Sequence, residues 1–248
     1  MRYRRGGRGR RILKRLGITV VTLAVILVIG AVAVWLGTPS ATDAPQRTAA
    51  QAKDYGIAYP GPDVPAVFSN ALIATEDKRF NSESAVDPFA VIRLVASRVT
   101  GDTSDQGGAT IQQQLAKMLY TPGQGGISSE FKQVVMAYKL DATFSKKEIL
   151  NMYAEVAYYG HNYYGLESAA CGYYGHPAAN LTPEQGAMLA GAVNAPTYDD
   201  PISDPAQAYR RYSHVIGRMK SVGDITQAQE KQMLTATLGV VPRSEAGC

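Results

Sequence analysis

From Leu16 to Thr42 the chain carries no charged residue, and residues 18–36 are almost wholly aliphatic. About 20 apolar residues at helical rise match the hydrocarbon core of a bilayer, where a helix satisfies its own backbone groups. The flanks are unequal. Arg2, Arg4, Arg5, Arg8, Arg10, Arg11, Lys14 and Arg15 place eight of the 25 basic residues ahead of the run, and Asp43 comes after it. By the positive-inside rule the N-terminus lies in the cytoplasm and residues beyond about 40 lie outside. A cleaved leader is the competing reading. Its apolar core usually spans about 7–15 residues, shorter than this one, and the Ala-Thr-Asp-Ala after Ser40 makes a poor cleavage site. The length favours an uncleaved anchor in the cytoplasmic membrane.

The formal charge of +4 belongs to the basic arm, because the other 17 Lys and Arg face 21 Asp and Glu. Next to an apolar span, such an arm argues for a membrane partner and against nucleic acid. Cys171 and Cys248 would sit in a disulfide-permissive compartment. They lack metal-ligand spacing, and one lies inside a predicted helix, so the sequence assigns them no role. His161, His176 and His214 are scattered, which gives no expectation of a histidine metal site.

The chain divides into five stretches: a basic arm over 1–15, a transmembrane anchor over 16–37, a linker over 38–59, a domain over 60–205, and C-terminal helices over 206–248 packing back on it. The linker reading rests on Ala, Thr, Gln, Pro and Gly. Beyond it, start and stop signals repeat without period-two alternation, so the class is all-α, with room for one short irregular hairpin. Asp63 is a candidate cap for a helix with Pro65 in its first turn, and Asp87-Pro88 opens a segment running to Gly101. Thr110 with Gln113, Ser145 with Glu148, Thr182 with Gln185 and Thr226 with Gln229 have capping-box spacing. Pro183 and Pro205 suit first helical positions, and Gly160, Gly175, Gly223 and Gly239 suit helix ends. Residues 121–126 read as a mobile glycine loop between two helices. Tyr209, Tyr212, Ile216 and Met219 make a stripe expected to pack on the domain.

Two segments can carry chemistry. Val64, Val67, Phe68, Ala71, Leu72 and Thr75 recur at helical spacing, and Phe68, Leu72, Glu76 and Phe80 fall in one i, i+4 row. That row sets Glu76 between two rings on an apolar face, where partial burial would raise its pKa toward the range of a general base. A helix-end carboxylate that pairs with Lys78 or Arg79 explains the same residues. The second segment runs from Gly107-Gly108-Ala109-Thr110 into a helix. Its glycines and open N–H groups would suit an anion such as phosphate, with Gln114 and Lys117 facing it. An ordinary capped helix is the simpler reading of that stretch.

Taken together, Ala71-Leu-Ile-Ala-Thr-Glu-Asp-Lys-Arg-Phe80 and Gly107-Gly-Ala-Thr-Ile-Gln-Gln-Gln-Leu-Ala-Lys117 resemble the first two signature motifs of the peptidoglycan glycosyltransferases, glycosyltransferase family 51. The likeness continues in order through residues 144–150, 158–160, 164–170, 173–175 and 181–201, so it covers about residues 60–205. No transpeptidase-like segment comes after it, which resembles the monofunctional type. The resemblance implies a lysozyme-like all-α domain. The implied reaction polymerises lipid II into β-1,4-linked glycan strands and releases undecaprenyl pyrophosphate. The implied partners are lipid II, the growing strand, the membrane and other cell-wall synthesis proteins. Glu76 takes the role of general base and Asp77 supports it, while Phe80 shapes the site. Thr110, Gln113, Gln114 and Lys117 match donor-side positions, where a cation or a divalent metal such as Mg or Mn would stabilise the departing charge.

Several positions depart from the family pattern. The third motif, Arg-Lys-x-x-Glu, falls on Ser129, Glu130 and Gln133, without its two cations and its glutamate. Lys132 is the candidate replacement for a lost cation, and Glu130 or Glu155 for the lost acid. Glu83 and Ala85 replace a His and a Gly, Met118 replaces an Asn, Asn151 and Glu155 replace a Glu and an Asn, and Gln185 replaces a helix-packing Glu. Each lost cation beside a pyrophosphate removes a charge-assisted bond of about 1.5–3 kcal/mol. Two functions stay open: a polymerase with a rearranged donor side, or a relative that binds lipid-linked substrate or cell-wall partners without polymerising.

Overall fold

A computed structural model describes residues 7–82, 109–241 and 248. The expected segment from Asp87 to Gly101, Glu83, Ala85 and the Gly107-Gly108 pair lie outside the described residues. Two compact units emerge, residues 1–39 and 40–248.

The first unit holds α1 (Gly7–Gly37), whose apolar residues face outward: Leu16, Val21, Leu27 and Leu36 are 62–77% exposed. By length and composition this helix can cross a membrane.

The second unit is all-α among the described residues. A short 3-10 turn (Ala41–Asp43) leads into α2 (Ala44–Asp54), α3 (Ala66–Glu76), α4 (Ile111–Tyr120), α5 (Ile127–Thr143), α6 (Lys146–Val156) and α7 (Leu166–Tyr174). A second 3-10 turn (Ala178–Asn180) precedes α8 (Pro183–Ala192), α9 (Pro205–Val222) and α10 (Gln227–Thr235). The only extended pairing among the described residues is an antiparallel bridge between Tyr158 and Tyr164, the short hairpin allowed by the sequence.

Local signals set most boundaries. All four capping boxes form, at Thr110, Ser145, Thr182 and Thr226. Gly175 and Gly223 end α7 and α9 in the left-handed conformation. Gly160 and Gly239 do not close helices, because α6 and α10 already stop at Val156 and Thr235. Asp63 does not cap α3 either. It accepts from Asn151 and pairs with Lys147, and Pro65 takes the N-cap position.

Two boundaries expected from the sequence give way. Residues 41–54 are not a tether: Ala44, Thr48 and Ala52 bury one small-residue face of α2. Gln51 and Arg47 donate to the carbonyls of Met118 and Leu119 at the end of α4, satisfying acceptors that a helix leaves open. Alanine-rich composition imitates a linker because a small buried stripe produces little periodic contrast. Residue 205 is likewise no division, since α9 packs on α3 and α8 within one compact unit. Tyr212, Ile216 and Met219 are buried as expected, while Tyr209 is exposed and donates to the Leu234 carbonyl. Finally, Cys171 and Cys248 form a disulfide that ties the chain's last residue to α7.

The packing of α3 on α8 sets where the C-terminal end of α3 lies. Phe68, Ala71, Leu72 and Ala74 are buried, with Val64 and Val67 packed beside them. A Cβ on Gly186 would come within 2.7 Å of the Val67 carbonyl, so glycine there permits the two backbones to approach. Truncating Phe68 to alanine would cost about 3–5 kcal/mol.

Candidate active site

Glu76 is the last residue of α3. The helix stops there, with Asp77 as its C-cap, so Phe80 does not continue the row of Phe68 and Leu72. It turns into the core at 1% exposure, beneath the Lys146 ammonium 4.8 Å from its ring centre. Glu76 therefore does not lie between two rings, nor does it pair with Lys78 or Arg79. Its carboxylate meets polar groups from distant parts of the chain.

Arg211 Nη2 on α9 donates to Glu76 Oε1 at 2.7 Å. Asn194 Nδ2, just past α8, lies 3.3 Å from Oε1 and 3.1 Å from Oε2. Gln114 Nε2 on α4 reaches Oε2 at 3.4 Å and also donates to the Ala109 carbonyl. The Tyr153 hydroxyl on α6 donates to Gln114 Oε1 at 3.0 Å, which fixes the amide so that its nitrogen faces the acid. Burial pushes the Tyr153 phenol far up, aided by the Glu76 charge, so it remains a neutral donor. The Glu76 side chain is only 9% exposed, and among the described residues it accepts hydrogen bonds from Arg211, Asn194 and Gln114. Such a carboxylate is fixed in orientation and able to accept one further hydroxyl group.

Asp77 anchors the neighbouring helix. Its Oδ2 accepts the Ile111 N–H at 3.4 Å, at the positive end of α4. Burial raises the Asp77 carboxyl above its ordinary value, against the opposing pull of the Ile111 and Arg79 backbone N–H groups and the Lys146 charge. This contact brings the first turn of α4, and hence Gln114, to Glu76.

The other expected donor-side residues are distributed less tightly. Thr110 and Gln113 engage each other in the capping box, the simpler of the two readings for that turn. Lys117 on α4 and Lys132 on α5 are exposed. Gln133 donates to Thr121 Oγ1 at 2.9 Å, at the end of α4, and Ser129 is buried at 7% exposure. Glu155 contacts the turn at Gly61 instead of the Glu76 network. Burial, its largest influence, raises its carboxyl above the ordinary value, with the Gly61 N–H opposing. Gln185 uses the amide that a glutamate would lack, donating to the Leu238 carbonyl. No cluster of three His, Cys, Asp or Glu side chains occurs among the described residues, and Gln133 supplies no charge.

Arg211 and Asn194 were not legible as site residues. Their separations from Glu76, 135 and 118 positions, leave no local trace.

A family model described as Transglycosylase matches residues 46–220, from within α2 to near the end of α9. Penicillin-binding protein 1A from Neisseria lactamica is 36% identical over 176 residues, 71% of this chain and 22% of that protein. The protein of the same name from Aquifex aeolicus is 34% identical over 177 residues, again 71% of this chain and 24% of its own length. The chain thus spans under a quarter of the length of these curated relatives. Among solved structures, penicillin-binding protein 1A from Haemophilus influenzae matches 53% of this chain and 16% of its own, with a TM-score of 0.37 and 22% identity. On the match over residues 46–220, this chain belongs to the transglycosylase family.

Proposed function

We propose that the chain polymerises lipid II into β-1,4-linked peptidoglycan strands with Glu76 as general base. The observation that carries this reading is the convergence of Arg211, Asn194 and Gln114 on one carboxylate, beside the motif segments of a transglycosylase. The acceptor's 4-hydroxyl gives its proton to Glu76 as its oxygen bonds to the donor's anomeric carbon. The bond from that carbon to the pyrophosphate breaks, and the leaving group takes the electron pair. Attack opposite the leaving group inverts the anomeric centre. Asp77 holds the α4 terminus in place, Phe80 supports the turn from beneath, and Thr110 with Gln113 shapes the helix entry. Gln114 aligns the base, while Lys117, and Lys132 with Gln133 on α5, serve the pyrophosphate side. Any divalent ion there would be held largely by the substrate's own oxygens.

In this reading α1 anchors the protein in the cytoplasmic membrane with its N-terminus inside, where a bilayer-borne substrate is within reach. The Cys171–Cys248 disulfide supports an extracytoplasmic domain, because such bonds persist in oxidising compartments. The second reading, a relative that binds lipid II or cell-wall partners without polymerising, draws support from Gln133 and Ser129, whose side chains serve capping and packing.

Labelled lipid II supplied to the full-length protein in detergent separates the two. Polymer from the parent and none from Glu76→Gln is the expected result. Binding by both, with polymer from neither, overturns catalysis in favour of the binding role.

A further inference from the structure

Arg211 occupies a seat built from several elements. Its stem lies over Gly191, where a Cβ would stand 3.1 Å from Arg211 Cγ and 3.3 Å from Val215 Cγ2. Its Nε donates to the Gly191 carbonyl at 3.3 Å, in the last turn of α8, where helix carbonyls concentrate negative potential. Asp199 Oδ2 lies 4.0 Å from the same nitrogen. Asp199 is itself 3% exposed and held by Gln207 Nε2 at 2.8 Å. With one edge of the guanidinium fixed in this way, its Nη2 is delivered to Glu76 Oε1 at 2.7 Å. Among the described residues, Oε2 has the longer contacts from Asn194 and Gln114, at 3.1 and 3.4 Å.

We infer that Arg211, seated by Asp199 and Gly191, is a positioning residue that anchors Oε1 of Glu76 and leaves Oε2 to take the acceptor's proton. The inference rests on the reading of Glu76 as base, and adds a division of labour between its two oxygens. The planar guanidinium spans the distance from the end of α8 to the acid, which a point-like ammonium does not. Asp199 gives the guanidinium a second carboxylate partner on its far edge, so the arginine is retained at the acid when substrate enters.

The test is steady-state polymerisation of lipid II by the full-length chain. A misplaced reacting group costs up to about 100-fold, so Arg211→Ala should lower kcat about 10- to 100-fold and leave KM nearly unchanged. Added ethylguanidinium should restore several-fold of that loss, which repair of a purely structural defect would not do. Arg211→Lys should recover only part of the rate. Asp199→Asn should lower kcat about 3- to 10-fold, a smaller loss because its effect passes through the arginine. Parental kcat in Arg211→Ala, or a loss that guanidinium leaves untouched in a protein with parental unfolding temperature, overturns the inference. Should Arg211→Ala not fold, Asp199→Asn decides in its place, and parental kcat there is the overturning result. Glu76→Gln in the same assay distinguishes the two levels. Polymer from that variant removes the base itself, whereas its loss alongside unaffected Arg211 and Asp199 variants removes only the positioning role.

Discussion

The end of α3 and the face of α5 put similar polar residues to different uses. At Glu76, side chains from α4, α9 and the turn after α8 converge on one carboxylate, and α6 aligns one of them. Along α5, Gln133 is engaged with Thr121, Ser129 is packed away, and Lys132 projects outward. In the proposed reading, the proton-accepting side is assembled before substrate arrives. In the same reading, the side that would face pyrophosphate shows no comparable convergence among the described residues and relies on the exposed Lys117 and Lys132. Preorganised donors act without reorganisation during the reaction, whereas lysines must be ordered by the ligand they bind.

Replacing the base tests that contrast most severely. Glu76→Gln keeps the shape and one acceptor oxygen but cannot accept a proton, and general-base loss of about 100- to 10,000-fold in polymerisation rate is expected. A modest loss in a radiolabel incorporation assay would mean that the assembled side is not the reactive one.

The contrast also requires that catalysis and stability come apart. Cys248→Ser opens a bridge between residues 77 positions apart and should lower unfolding stability by about 2–4 kcal/mol, read by thermal denaturation. At a temperature where the variant stays folded, its kcat should match the parent. A parallel fall in kcat would tie the C-terminal tail to the site.

The pyrophosphate side of the proposed reading is probed by Lys117 on α4 and Lys132 on α5. Lys117→Ala should reduce kcat/KM about 10- to 150-fold, the equivalent of one charge-assisted bond of about 1.5–3 kcal/mol. Lys132→Ala should weaken lipid-substrate affinity by less. No change in affinity for Lys132→Ala would leave α5 outside the donor side and sharpen the difference between the two regions.

The smallest effect concerns Glu155, the acid that the sequence offered as a replacement. Its carboxyl is raised by burial, so its neutral form favours the fold. That contribution is complete below the carboxyl's unfolded value and lost as pH rises through the folded one. Glu155→Gln should therefore raise the unfolding temperature at neutral pH, and the gain should shrink toward acid. Catalysis should be unaffected, which a rate profile in the same buffers would check.

The four capping boxes, the membrane-length helix and the all-α class were legible because each is a short-range property, fixed by residues three or four apart or by an unbroken run. Glu76 was legible as an acid on a mostly apolar helix, though its surroundings were not. The expected aromatic row failed because α3 ends at Glu76, one turn before Phe80 could join it. Residues 41–54 were misread as a tether because alanines bury a face without announcing it. What only the tertiary structure decided is which groups meet the acid. Arg211 and Asn194 arrive through the packing of α9 and α8 on α3, the disulfide through the path of the C-terminal tail, and the Gln133 contact through the packing of α5 on α4. Local sequence can specify a helix and its ends, because those hydrogen bonds close within a turn. A site made of side chains more than a hundred positions apart exists only once the buried faces have chosen their partners.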